Sequence, residues 1–209
     1  MGTATIPCPF RLPLIAILRG IRADEALAHV QALVEEGYDA IEVPLNSPDW
    51  DTSIGAAIRD FGDRAWIGGG TVLRTQEVNV LATLGARFIV TPNVNPELIR
   101  HAVQRGLQVV AGFATATEAF AALDAGAQML KLFPASTYGT QHVRALRAVL
   151  PPVPLFVVGG VTPLSLADYL SAGSIGAGIG GELYKPGQRV IRTRENARAF
   201  RQAFLEIAP

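Results

Sequence analysis

One cysteine, Cys8, is all the chain contains, which excludes an internal disulfide and fits a reducing, cytoplasmic setting. Long apolar runs are missing as well. None approaches the roughly 20 residues that a membrane-spanning helix needs, and Met1 to Pro9 lacks the basic-then-apolar layout of a secretory leader. Neither charge is in excess: 18 basic and 18 acidic residues leave a formal net charge of zero, with no long like-charged run. That balance supplies no attraction to nucleic acid or to an anionic membrane. Histidine is scarce too, being confined to His29, His101 and His142. Each falls in a helical pattern without other ligand types nearby, so no metal is expected and all three read as surface residues.

Apolar side chains are what the chain has. Hydrophobic residues make up 49% and charged ones 17% of 209 residues, enough for one domain with a sizeable interior and too few for two ordinary ones. Within that single domain, residues 1–209, a unit recurs. Five times a helical stretch closes on glycine and an apolar run follows: Gly37-Tyr-Asp-Ala-Ile-Glu-Val, Gly85-Ala-Arg-Phe-Ile-Val, Gly106-Leu-Gln-Val-Val, Gly126-Ala-Gln-Met-Leu-Lys-Leu and Gly173-Ser-Ile-Gly-Ala-Gly-Ile. Glycine ends helices because it enters the left-handed region without a Cβ clash. The runs are continuously apolar rather than alternating, as in strands covered on both faces of a parallel sheet. Eight are counted, near Leu14–Arg19, Ala40–Leu45, Trp66–Val72, Phe88–Asn93, Gln108–Phe113, Met129–Phe133, Leu155–Gly160 and Ile175–Gly180, with helical periodicity between them. Eight βα units in a chain this short predict an α/β fold of the (β/α)₈ TIM-barrel type. A doubly wound open sheet is the competing architecture and would ordinarily use fewer strands. In the barrel, chemistry belongs at the C-terminal ends of the strands.

Lysine is the last scarcity and the most informative. Only Lys131 and Lys185 stand among the 18 basic residues. Lys185 lies in a turn-like Tyr-Lys-Pro-Gly segment, but Lys131 interrupts the apolar run Met129-Leu-Lys-Leu-Phe-Pro. Desolvation lowers the pKa of a buried amine, and a neutral amine is a nucleophile toward carbonyl carbon. Otherwise such a lysine needs a buried carboxylate partner or must reach the barrel rim. Glu42 is the matching anomaly, in Ala40-Ile-Glu-Val-Pro. It lies five residues past Gly37, as Lys131 lies five past Gly126. Both are thus at equivalent places on even-numbered strands, whose inward side chains share a layer. An amine and a carboxylate at one level suit imine chemistry with acid–base assistance.

Other polar groups end neighbouring strands: Arg19 on the first, Thr71 after Gly68-Gly-Gly on the third, and Thr91-Pro92-Asn93 on the fourth. Arg19 can pair with a carboxylate, and the side chains missing from the third strand leave room for a ligand. Barrels often hold phosphate in the loops after strands seven and eight. Here those loops carry Gly159-Gly160, with Thr162-Pro163 as a helix start, and Gly180-Gly181. Gly176, Gly178 and Gly181 also meet a dinucleotide-type spacing. That motif requires a following strand–helix–strand unit, and the remaining residues read as one terminal helix.

Taken together, Met129-Leu-Lys-Leu-Phe-Pro-Ala-Ser, Ile41-Glu-Val, Gly69-Gly-Thr-Val, Ile89-Val-Thr-Pro-Asn and Val158-Gly-Gly-Val-Thr-Pro resemble, in order, the motifs of the 2-keto-3-deoxy-6-phosphogluconate aldolase family. The resemblance spans residues 12 to 205. It implies an aldolase whose lysine, Lys131, forms the Schiff base, with Glu42 as base. It also implies a phosphorylated 2-keto-3-deoxy sugar acid as substrate, pyruvate as a product, no metal or organic cofactor, and a homotrimer. Arg19 would take the carboxylate. Thr71, Pro92 and Phe133 would line the pyruvate end, and Gly159, Gly160, Gly180 and Gly181 the phosphate end. Pro13-Leu-Ile-Ala-Ile-Leu-Arg-Gly-Ile and Val43-Pro-Leu-Asn-Ser-Pro are similar to the branch acting on the C4-epimeric phosphogalactonate substrate. The phosphogluconate branch usually has Arg-Thr in place of Asn46-Ser47 and threonine in place of Val158; activity on that epimer, or on both, is the alternative. The family often has serine where Gly181 stands. A phosphosugar epimerase or isomerase, or a non-catalytic sugar-binding barrel, are the rival readings.

Overall fold

The structure, a computed structural model, describes residues 7–207, so the leader-free reading of the first nine residues falls largely outside it. Eight strands alternate with eight helices: β1 (Leu14–Ile17), α1 (Ala23–Glu35), β2 (Ala40–Pro44), α2 (Trp50–Phe61), β3 (Trp66–Gly70), α3 (Thr75–Leu84), β4 (Phe88–Val90), α4 (Pro96–Gln104), β5 (Gln108–Phe113), α5 (Ala116–Asp124), β6 (Met129–Leu132), α6 (Ala135–Arg147), β7 (Leu155–Val158), α7 (Pro163–Ser171), β8 (Gly176–Ile179) and α8 (Val190–Leu205). Every strand pairs in parallel with its sequence neighbours, and β1 pairs with β8 at Leu14↔Ala177. That last ladder closes the barrel and excludes the open sheet. The strands are shorter than the apolar runs because ladder bonding stops before the rim, where Arg19, Thr71 and Gly160 begin the loops.

Two apolar layers hold the barrel. Outward-facing Leu14, Ile41, Ile67, Ile89, Val109, Leu130 and Val157 meet the helices. Inward-facing Ile15, Ala40, Phe88, Val110, Met129 and Phe156 fill the lumen. Phe10 plugs its N-terminal end, edge-on to Trp66 and Phe88. Burying side chains of this size contributes about 1.5–3 kcal/mol each, which makes the lumen a packed core rather than a pore. The five helix-closing glycines all lie at positive φ, from +78° at Gly106 to +112° at Gly173, as the C-terminal cap requires. Gly176 and Gly178 serve packing: a Cβ on Gly176 would fall 1.7 Å from the Pro13 carbonyl oxygen. Two of the three glycines in the dinucleotide-like spacing are therefore explained by close packing at the β7–β8–β1 seam.

Two readings of the sequence change here. His29 is no surface residue: it is 1% exposed, its Nδ1 lies 2.8 Å from Thr193 Oγ1, and its ring packs edge-on to Tyr184. A hydrogen-bond partner brought from 164 residues away is invisible to helical periodicity. The glycines of β3 likewise leave room for the protein itself. A Cβ at Gly68 would meet Phe88, at Gly69 Leu81, and at Gly70 the Glu42 side chain.

Candidate active site

Lys131 on β6 and Glu42 on β2 project into the C-terminal end of the lumen, where a cavity of about 400 Å³ opens. Their backbones sit beside Gly112 and Gly68 in the ladders. Both are nearly sealed from water, at 8% and 2% exposure. Among the described residues they form no ion pair, and Glu42 Oε2 has no hydrogen-bond partner. This disposes of the buried-pair alternative for Lys131. A carboxylate left without partners in a native interior calls for a functional explanation. Burial is the largest influence on each group. It pushes Lys131 down and Glu42 up, with the opposite charge of the partner working against both shifts and Arg19 reinforcing the fall at Lys131. Each is moved toward its neutral form. The Phe133 ring centroid lies 5.1 Å from Lys131 Nζ, so an aromatic wall shields the amine from solvent.

Glu42 owes its placement to an absence. Its carboxylate lies against Gly70, where a Cβ would stand 1.6 Å from Oε1 and 2.2 Å from Cδ. Thr71, the next residue, has φ +58°, an outlier for a β-branched side chain and the kind of strain found at binding sites. Arg19 reaches across the rim, donating from Nη1 to Asn46 Oδ1 at 3.0 Å and from Nη2 to Thr71 Oγ1 at 3.5 Å.

On the opposite wall, Gly159 and Gly160 hold φ +98° and +73°, a conformation closed to most side chains. They turn the chain into α7, whose N-cap Thr162 accepts from Ser165 N and whose first turn carries Pro163. Among the described residues, the N–H groups of Gly160, Val161, Gly180, Gly181 and Glu182 donate to no protein acceptor. Orphan amides beside a helix N-terminus make an anion cradle.

The cavity wall brings together every expected site residue: Lys131, Glu42, Arg19, Thr71, Pro92, Phe133, Val158, Gly159, Gly160, Gly180 and Gly181. It adds Ile17, Val161, Gly178 and Glu182. Ile17 was within reach of period-two reasoning, two residues before Arg19 in the same apolar run. Thr91 is elsewhere: its hydroxyl donates to Asn93 O at 2.7 Å and accepts from Gly112 N at 3.1 Å, which ties β4 to β5. A second cavity, of about 520 Å³, lies at the other end of the barrel around Arg11, Asp39 and Trp66. Asp39 there is occupied by Arg11 and by Leu12 N, so its polar groups serve the fold.

A closed βα barrel with a desolvated amine and an unpartnered carboxylate at its catalytic end is an enzyme built for carbonyl chemistry. The chain belongs to the KDPG and KHG aldolase family, whose model matches residues 10–200, and is thus a carbon–carbon lyase. It is 56% identical to 2-dehydro-3-deoxy-6-phosphogalactonate aldolase of Escherichia coli (strain K12), over 94% of this chain and 96% of that one. A solved structure described as "Native KDPGal structure" superposes with a TM-score of 0.93 at 56% identity, covering 94% of this chain and 96% of the other. A chain in a cube-shaped protein cage, designed by fusing symmetric oligomeric domains, matches at the same identity and TM-score, covering 94% of this chain and 73% of that one.

Proposed function

We propose that the protein cleaves 2-dehydro-3-deoxy-6-phosphogalactonate to pyruvate and D-glyceraldehyde 3-phosphate through an imine on Lys131. The observation that carries this reading is the placement of a desolvated amine and an unpaired carboxylate in one cavity, in a chain similar to an aldolase of that name. The Lys131 amine adds to the C2 carbonyl, and loss of water leaves an iminium. Glu42 removes the proton of the C4 hydroxyl, the C3–C4 electron pair moves to the iminium nitrogen, and the aldehyde departs. The protonated Glu42 returns its proton to C3 of the enamine, water adds to the resulting iminium, and pyruvate leaves with the amine restored. Burial suits Glu42 to both roles, because a carboxyl with a raised pKa accepts and releases protons more readily near neutrality.

Among the described residues Arg19 is the one cationic side chain besides Lys131 on the cavity wall; it takes the C1 carboxylate, while Thr71, Pro92 and Phe133 bound the pyruvate end. The phosphate goes to the amides of the β7–α7 and β8–α8 loops. Val158, 7% exposed, presents only methyl groups there and offers no hydrogen bond to a C4 hydroxyl, which disfavours an epimer that needs one. The deciding assay compares kcat/KM for the two C4 epimers: a ratio favouring the galactonate form is expected, and a ratio favouring the gluconate form overturns the substrate assignment. We read the assembly as a cytoplasmic homotrimer. Support for an oligomer comes from the cage of oligomeric domains and from Leu164, 92% exposed in the first turn of α7.

The phosphate assignment has its own test. A Cβ at Gly181 meets nothing within 4 Å, so Gly181→Ser adds a hydroxyl to the cradle without displacing anything. One hydrogen bond to a charged group contributes about 1.5–3 kcal/mol. The KM for the phosphorylated substrate should fall by about tenfold, with no change for its unphosphorylated counterpart. A KM unmoved for both places the phosphate elsewhere.

A further inference from the structure

Asn46 belongs to no catalytic group, yet the rim is organised around it. Beyond the strand ends, the ladders continue with single bonds: Leu18 N donates to Glu42 O and Leu45 N to Gly70 O, each at 2.9 Å. These bring Arg19, Asn46 and Thr71 side by side from three consecutive strands. Gly20 N then donates to Ser47 Oγ at 2.9 Å, and Ser47 is 5% exposed. The backbone on both sides of Arg19 is therefore fastened to the β2 strand and the loop that carries Asn46. The guanidinium completes the arrangement by donating to the Asn46 amide oxygen and, at longer range, to the Thr71 hydroxyl.

Both acceptors are neutral. Among the described residues no carboxylate forms an ion pair with Arg19, whereas Arg11, Arg22, Arg59, Arg64, Arg192, Arg194 and Arg198 each lie beside an aspartate or glutamate. Resting on the reading of Arg19 as the carboxylate-binding group, we infer that Asn46 is a positioning residue that aims the Arg19 guanidinium into the cavity without neutralising it, and so sets selectivity for a 2-keto acid over an uncharged ketone. An amide holds the fork by one hydrogen bond and leaves its full charge and remaining N–H donors for the substrate. A carboxylate at this position would hold the fork more tightly and satisfy the charge in advance. Asn46 thus acts through Arg19 and touches no reacting atom.

The test uses borohydride trapping, which reads imine formation directly, on pyruvate and on its neutral methyl ester. In the parent protein pyruvate should be trapped in preference to methyl pyruvate. Asn46→Asp should cut trapping of pyruvate by about tenfold, since the lost interaction is a charge-assisted pair, and leave trapping of the ester unchanged. Asn46→Ala should give a smaller, equally selective loss, by a factor of about three, because the charge survives but its aim does not. Equal losses for both ketones, or none for either, in Asn46→Asp would overturn the inference, and so would an unaffected Asn46→Ala. Asn46 is exposed, so both variants should fold, as a parent-like thermal transition will show. Absence of any adduct in the parent would instead strike at the imine mechanism itself.

Discussion

Replacing Lys131 by Met is expected to abolish cleavage while leaving a protein at least as stable as the parent. Removing the nucleophile takes away the electron sink, and loss of a group on which the whole covalent route depends lowers kcat by about 10⁴-fold or more. Stability should move the other way. Lys131 titrates below its ordinary value of 10.5 because it is buried. Between its folded pKa and 10.5 the unfolded chain binds more protons than the folded one, so the parent gains stability as pH rises through that window. At neutral pH the buried amine is therefore a cost, which methionine, apolar and similar in length, relieves. Denaturant unfolding should show Lys131→Met ahead of the parent near pH 7 and the gap narrowing toward pH 10. Cleavage surviving in the variant, with an adduct still trapped by pyruvate and borohydride, would remove the imine from Lys131.

Gly70→Ala carries the second large effect, although residue 70 touches no substrate atom. The new methyl would stand 1.6 Å from Glu42 Oε1 and 2.7 Å from Cγ, so the carboxylate must leave its position. A misplaced base costs about 10²–10⁴ in rate, and kcat should fall to near the level of Glu42→Gln. Overpacking adds about 1–3 kcal/mol of destabilisation. Shrinking the opposing side chain separates the two effects. In a Glu42→Ala background, Gly70→Ala should cost little stability and reduce kcat no further. If the full penalty persists there, the clash is not with Glu42.

The two cases show different degrees of legibility. Lys131 stood out because an ammonium in a continuously apolar strand violates hydrophobic patterning, and the same argument found Glu42. Their shared level in the barrel followed from equal spacing after Gly37 and Gly126, since strand geometry converts residue counts into height. Arg19, Thr71 and Pro92 were placed by the rule that barrel chemistry lies at the ends of strands. Gly70 was misread for a physical reason: a missing Cβ looks the same in sequence whether the space is taken by a ligand or by the protein. His29 failed similarly, because its partner Thr193 is on α8 and helical periodicity reports nothing about contacts between distant elements. Asn46 had no local anomaly at all, being an ordinary polar residue in a loop.

By itself the order of apolar runs and helix-closing glycines determined that the chain would form eight βα units, and the two charged interruptions determined where its chemistry would lie. Local conformation and burial are written in neighbouring residues, so a linear reading reaches them. Closure of β8 onto β1, the separation of Lys131 from Glu42 without an ion pair, the seating of the Glu42 carboxylate on Gly70 and the pairing of Arg19 with the neutral Asn46 were decided only in three dimensions. Each depends on distances between segments far apart in the chain, and those distances exist only once the whole barrel has packed.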